Sequence, residues 1–331
     1  MAPTPQPPAP GLDPPPPAAG SPADAKASGA KAASAITSGS TALVGVLGDP
    51  VRHSLSPAMH NAALAELGLD WIYLALPVAA ADLAVVLPAL EALDCRGLNV
   101  TLPHKRAVAG LVAELSPLAQ RLGAVNTLVR RPQGGWLGTN TDVEGFLAPL
   151  RQGDWRGKRA LVLGCGGSAL AVLAGLESLG CGSIAVAGRN PTALAAFVAG
   201  CRPWLAELEA LSWSGDHDPQ LLQALATADL VVNTTPLGMA AASDPAAAAR
   251  SPLAAAALER LQPSCSLYDL IYTPRPTALL RAAAARGCPC YDGLEMLVQQ
   301  GAAALRLWSG LDQVPLAAMR RAALEQLPQP H

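Results

Sequence analysis

Two α/β domains in a single chain are what this sequence predicts, and three observations predict them. At 331 residues the chain exceeds what one hydrophobic core usually serves. Short β-rich runs alternate with helical stretches, the rhythm of parallel strands joined by crossover helices. That rhythm stops at a hairpin and restarts after a polar stretch, Arg151 to Lys158. Apolar residues at 51% and charged residues at 15% suffice for packed interiors and exclude a wholly disordered chain.

Residues 1–40 hold ten of the 31 prolines and almost no large apolar side chain, so they read as a disordered tail. From Ala42 the first series runs ALVGVL, a helix after Pro57, WIYLAL, a helix near 80–93, then GLNV and a helix from Pro103. NTLVRR and WLGTN flank Gly134-Gly135 and form a hairpin. The second series is RALVLG, CGSIAVAG, ADLVVNT and SLYDLIY, each followed by helical sequence. The alanine-rich stretch near 240–258 reads as helix and loop, and the last forty residues as two helices that must pack on one of the sheets. The expected division is a tail over 1–40, one domain over 41–141 plus 293–331, and a second over 142–292.

A net charge of −2 supplies no field to hold a polyanion, so nucleic acid is not an expected partner. Seven cysteines without C-x-x-C spacing suggest neither a disulfide framework nor a zinc site and suit a reducing cytoplasm. His60, His104 and His217 have no metal-ligand spacing, and no metal is expected. Apolar stretches break before the roughly 20 residues a spanning helix needs, so a soluble protein with no membrane association is expected.

After the strand ALVL comes Gly164-Cys165-Gly166-Gly167-Ser168-Ala169, which satisfies G-x-G-x-x-[G/A] between a buried strand and a helix. Such glycines let the backbone approach a pyrophosphate, whose charge the helix N-terminus attracts; a turn serving only helix packing is the bland reading. Where an acid would hold the ribose hydroxyls of NAD, the second strand ends in Ala187-Gly188-Arg189-Asn190. Arg189 offers a fork for the 2′-phosphate of NADP, and NADP is favoured over NAD, unless Arg189 is simply a solvated loop residue.

Three further segments place polar groups at element ends. Ser54 and Ser56 lie two apart on a segment read as extended, with Ser56 as cap and Pro57 opening a helix. They suit a carboxylate or phosphate, or merely an ordinary Ser-Pro helix start. Asn99 and Thr101 share a strand face, and Pro103 opens a helix that puts Lys105 in its first turn. A cation is disfavoured there, so Lys105 is a candidate acid or base, against the default of a surface lysine. Thr141 is expected to cap a helix whose first turn holds Asp142, a carboxylate that would orient Lys105 if the two meet.

Together, GDPVRHSLSPAMHN, NVTLPHK, GAVNT, GTNTDVEG, GCGGSA, NTTPLGM, YDLIYTPRPT and DGLEMLVQQG resemble the shikimate dehydrogenase family, in order, from about Val44 to Ala304. The resemblance implies an N-terminal α/β substrate domain and a Rossmann-like NADP-binding domain flanking a cleft. It also implies NADP-dependent, reversible reduction of 3-dehydroshikimate to shikimate, a step toward chorismate and the aromatic amino acids. By motif position it implies Ser54 and Ser56 on the substrate carboxylate, with Asn99, Thr101, Asn126, Asp142 and Gln300 on its hydroxyls and Tyr272 facing it. It implies Lys105 as catalytic acid/base with Asp142 as its partner, and Gly164, Cys165, Gly166, Gly167, Ser168, Arg189, Leu270 and Gly293 along the cofactor. The family often has Asn-Arg-Thr where this chain has Gly188-Arg189-Asn190. Reduction of a carbonyl creates an oxygen that must take a proton, which a lysine at the cleft can supply. Two rivals are a quinate/shikimate dehydrogenase of broader substrate or NAD use, and a non-catalytic NADP-binding regulator, which should have lost Lys105 and Asp142. The expected partner is a small molecule, with a homodimer left open.

Overall fold

The computed structural model describes residues 37–327 except 216, 241–243 and 245. Residues 1–36 of the expected tail therefore lie outside the described residues. Ser40 and Thr41 are tied to the Asp70 carboxylate by hydroxyl donors at 2.7 Å each.

The first series forms β1 (Ala42–Gly48), α1 (Ser56–Glu66), β2 (Trp71–Pro77), α2 (Leu83–Ala92), β3 (Gly97–Val100), β4 (Glu114–Leu115), α3 (Pro117–Leu122), β5 (Thr127–Arg130), β6 (Trp136–Thr139) and α4 (Asp142–Leu147). Its sheet runs in the order β2-β1-β3-β5-β6-β4. β1 pairs in parallel with β2 and β3, whereas β5 is antiparallel to β3 and β6. Gly134 (φ 89°) and Gly135 (φ 74°) make the expected hairpin turn, a backbone that side-chain-bearing residues rarely adopt. Because β1 has β2 on one side and β3 on the other, the loops after β1 and β3 diverge and leave a crevice at the strands' carboxyl ends.

The second series forms β7 (Arg159–Leu163), α5 (Gly167–Ser178), β8 (Ser183–Gly188), α6 (Pro191–Cys201), β9 (Glu209–Ser212), α7 (Pro219–Thr227), β10 (Leu230–Asn233), α8 (Ala255–Leu258), β11 (Ser266–Asp269), α9 (Ala278–Ala285) and β12 (Cys290–Tyr291). Its sheet is parallel throughout, in the order β12-β11-β10-β7-β8-β9. This is the doubly wound arrangement of a Rossmann-like domain, reversing direction between β7 and β10. Alternation along β7 explains the two-faced burial: Ala160 and Val162 join a core with α5 and α6, while Leu161 and Leu163 join one with α7, α8 and α9.

The C-terminal helices α10 (Gly293–Ser309) and α11 (Leu316–Glu325) return to the first sheet. Leu294, Val298, Ala302, Leu305 and Met319 share a core with Val44, Val46, Met59 and Tyr73. α10 also packs on α4, where Gly145 is required because a Cβ there would sit 2.6 Å from the Met296 carbonyl oxygen.

Four local expectations are corrected. No α-helix opens at Pro103: the chain runs through turns to a 3-10 turn at Val108–Gly110. Its polar groups are claimed by tertiary partners, since Val125 N–H donates to the Lys105 carbonyl at 2.8 Å and His104 Nε2 lies 2.7 Å from the Val78 carbonyl. Ser56 is the first residue of α1 rather than its cap, and the intervening Leu55 is αR rather than extended. Ser54 Oγ instead accepts the Ser56 amide at 3.2 Å. Thr141 caps nothing with its side chain; Asn140 Oδ1 accepts the Asp142 amide at 3.0 Å. The strands β4, β9 and β12 have no counterpart in the expected series.

Candidate active site

The crevice above β1 and β3 continues as a cavity of about 170 Å³ that reaches the N-terminus of α5. Its wall includes Ser54, Ser56, Asn99, Thr101, Lys105, Asn126, Asp142, Ser168, Leu270, Tyr272, Gly293 and Gln300, twelve of the residues read from the sequence.

At its centre Lys105 Nζ donates to Asp142 Oδ2 at 2.6 Å, with the two side chains 11% and 8% exposed. A pair this buried holds one geometry, because breaking it would leave an uncompensated charge out of water. The other carboxylate oxygen, Oδ1, accepts Asn126 Nδ2 at 2.8 Å. Asn126 is fixed in turn: its Oδ1 accepts the Thr141 amide at 2.7 Å, and its Nδ2 also reaches Thr141 Oγ1 at 3.1 Å. The residues at 105, 126 and 142 thus form one connected array, in which Lys105 Nζ has Asp142 as its one side-chain acceptor among the described residues.

Asn99 is held differently. Its Nδ2 donates to the Asn126 carbonyl and to Thr127 Oγ1, each at 3.2 Å, and its Oδ1 accepts the Tyr73 hydroxyl at 2.8 Å. Tyr73 is fully buried, and burial holds its phenol well above the usual range. His60 stacks on it at 4.2 Å between centroids, and neither ring nitrogen has a partner among the described residues. Desolvation lowers the His60 pKa to about 3, so the ring is neutral near pH 7. Tyr73 and Asn140 are the positioning groups that sequence reasoning missed. The signal for Tyr73 was its place in the β-run WIYLAL, in register with the apolar Val44 of β1.

The opposite wall comes from the second sheet. Asp269, at the end of β11, is fully buried and accepts Asn233 Nδ2 at 2.9 Å, Thr277 Oγ1 at 2.7 Å and the Ile271 amide at 3.2 Å. These bonds fix the loop carrying Leu270 and Tyr272. Burial raises the Asp269 pKa to about 6, with the hydrogen bonds opposing it, and burial likewise raises the Tyr272 phenol. Gly293 opens α10 where any Cβ would collide with the Leu270 backbone.

Gly164, Cys165, Gly166 and Gly167 form the turn from β7 into α5, beside the first cavity rather than in its wall. Gly164 has φ 103°, and its amide donates to the Ala187 carbonyl at 2.8 Å. A Cβ on Gly166 would meet nothing within 4 Å, and one on Gly167 would lie 3.8 Å from Lys105 Cδ. No side chain caps α5 and no acid stands in its first turn, leaving helix amides facing open space as a pyrophosphate requires. Arg189, just past β8, lines a separate cavity with Trp213. These residues fit a phosphorylated dinucleotide. Among the described residues no group of three or more His, Cys, Asp or Glu side chains could hold a metal ion.

Comparison with known proteins adds an independent line. The family model described as the shikimate dehydrogenase substrate binding domain matches residues 46–128, and that of the shikimate 5'-dehydrogenase C-terminal domain matches 293–324. A shikimate dehydrogenase (NADP(+)) of a Synechococcus strain is 48% identical over 292 residues, covering 88% of this chain and 98% of that protein. The crystal structure of shikimate 5-dehydrogenase from Thermus thermophilus with NADP(H) and shikimate superposes with a TM-score of 0.74 at 38% identity, covering 87% of this chain and all (100%) of that one. Quinate dehydrogenase from Corynebacterium glutamicum in complex with NAD superposes with a TM-score of 0.76 at 31% identity, covering 86% and 99%.

Proposed function

The chain belongs to the shikimate dehydrogenase family, and from that premise we propose how its residues divide the NADP-dependent, reversible reduction of 3-dehydroshikimate to shikimate. The enzyme is an oxidoreductase acting on a CH–OH group, in the pathway to the aromatic amino acids. The observation that carries the assignment is the 2.6 Å contact of Lys105 Nζ with Asp142 Oδ2 beside the N-terminus of α5.

Lys105 Nζ holds the proton that the substrate's carbonyl oxygen needs as it becomes a hydroxyl, and takes it back in the reverse direction. Asp142 orients that ammonium through Oδ2 and is itself kept in place by Asn126 on Oδ1. Ser54 and Ser56 hold the ring carboxylate near the start of α1, where helix amides and hydroxyls converge. Asn99, Thr101, Asn126, Asp142 and Gln300 receive the ring hydroxyls, and Tyr272 closes over the substrate from the second sheet. Bound NADPH supplies the hydride. Gly164, Cys165, Gly166, Gly167 and Ser168 hold its pyrophosphate, Arg189 its 2′-phosphate, and Leu270 and Gly293 border the nicotinamide end. Residues 41–141 with 293–331 act as the substrate domain and 142–292 as the cofactor domain, and their approach excludes water. The proposal includes a cytoplasmic location, supported by seven free thiols, and leaves the homodimer open, to be decided by light scattering, which would report twice the chain mass for a dimer.

Absorbance at the reduced-nicotinamide band, with shikimate or quinate offered against NADP or NAD, tests the reading. Shikimate with NADP should turn over fastest. A preference for quinate or NAD would overturn the specificity, and activity with no combination would leave the rival of a non-catalytic NADP-binding regulator.

A further inference from the structure

The end of β8 opens on a second cavity, of about 400 Å³, whose wall carries Arg189, Trp213, Ser214, Leu237, Arg250 and Ser251. The Arg189 guanidinium carbon lies 5.8 Å from the Trp213 ring centroid, a placement that steadies the fork without using its N–H donors. Among the described residues Arg189 makes no ion pair. A second guanidinium reaches the same cavity from a different part of the chain, the segment leading to α8.

That second arginine is set by main-chain packing. Gly238, in the loop after β10, has φ 98°, and a Cβ there would stand 2.9 Å from the Arg250 carbonyl oxygen. The backbone at 250 is therefore pressed against the loop that borders the cofactor turn, and Thr234 of that loop donates to the Leu163 carbonyl at 2.8 Å. The side chain is committed only loosely. Arg250 Nη2 meets Asp244 Oδ2 at 2.8 Å with the two side chains 56% and 39% exposed, and pairs so exposed contribute little.

We propose that Arg250 is the second cation of the 2′-phosphate subsite, and that Asp244 is its counter-ion until a phosphate displaces it. The inference rests on the NADP reading above and names what completes it. A phosphate monoester near pH 7 carries close to two charges and outbids a single exposed carboxylate for a planar fork. A dinucleotide lacking that phosphate has nothing to exchange, so the Arg250–Asp244 pair stays closed and Arg250 adds no affinity. Selectivity for NADP then depends on two arginines from separate loops that line one cavity.

The test is titration calorimetry of the full chain with 2′,5′-ADP and with 5′-AMP as probes, alongside the NADP-over-NAD ratio of kcat/KM. Arg250→Gln should weaken 2′,5′-ADP about tenfold while leaving 5′-AMP unchanged. Asp244→Asn should tighten 2′,5′-ADP, and Arg250→Lys should recover only part of the loss. If Arg189→Gln weakens 2′,5′-ADP and Arg250→Gln does not, Arg250 is only a surface pair and the proposal is overturned. Equal affinity of the unaltered chain for the two probes would overturn the NADP reading itself, and this inference with it.

Discussion

Lys105 and Arg189 are both cations just beyond the carboxyl ends of parallel strands, yet the molecule treats them in opposite ways. Lys105 is 11% exposed and locked to Asp142, which is itself fixed by Asn126. Arg189 is exposed, leans on an indole and faces open space. On the proposed assignment the first arrangement would set the position of one proton before the substrate arrives. On the same assignment the second would recruit a phosphate from water by long-range attraction, which salt screens. Changes at the two ends should accordingly fall on different measurements: turnover at the closed end, cofactor affinity and its salt dependence at the open one.

Lys105→Ala tests that separation most severely. Loss of a general acid costs roughly 10²–10⁴ in rate, so kcat should fall by that factor while 2′,5′-ADP affinity stays within about twofold. A parallel fall in kcat and nucleotide affinity would show that Lys105 holds the site together rather than serving the reaction, and the contrast between the two ends would collapse.

How much of this could be read beforehand differs between the ends as well. Both parallel series and the hairpin are legible because buried parallel strands leave near-continuous apolar runs and glycine pairs mark tight turns. The glycine turn after β7 and the missing acid after β8 are legible for the same local reason. The Lys105 segment is not. His-Lys-Arg-Ala-Val-Ala reads as helix by composition, but the Val125 amide takes the Lys105 carbonyl and His104 anchors to Val78, so tertiary bonds override the propensity. Lys105 still reaches Asp142, though not by means of a helix N-terminus. Strands β4 and β12 span two residues each, too short to carry a periodic signal. Arg250 sits in an alanine-rich stretch with no local motif, and only the approach of Gly238 reveals what it faces.

The closed end should also show itself in acid. His60 is neutral when folded, with a pKa near 3, while the unfolded ring takes a proton below about 6.5. Between those values the unfolded chain binds more protons, so the folded state loses stability as the pH falls. From pH 6.5 to 4.5 the loss approaches about 2–3 kcal/mol. Asp269 runs the other way, its raised pKa lending stability below the unfolded value of 3.8 that is lost as the pH rises toward about 6. Urea melts of wild type and His60→Leu over this range isolate the histidine, because the carboxylate contributes equally to both. Relative to wild type the variant should gain about 2–3 kcal/mol as the pH falls from 6.5 to 4.5. Profiles that remain parallel would mean that the ring reaches water, and that the layer beneath Asn99 is less closed than its packing indicates.

Tyr73→Phe is the mildest probe and the most local. It leaves the stack on His60 in place and removes only the hydroxyl that Asn99 Oδ1 accepts at 2.8 Å. Asn99 would keep its two donors to the Asn126 carbonyl and Thr127 Oγ1, which fix the way its amide faces, but its Oδ1 would lose its donor. A buried carbonyl oxygen left without its donor costs about 1 kcal/mol or somewhat more. The expected outcome is about a fivefold drop in kcat/KM for shikimate, carried mainly by KM, with 2′,5′-ADP affinity unchanged and the melting temperature a few degrees lower. A purely structural hydroxyl would lower the melting temperature and spare KM, so the KM shift is the part that decides. Should KM hold, Asn99 needs no help from below, and the preorganisation of the closed end stops at the Lys105, Asn126 and Asp142 array.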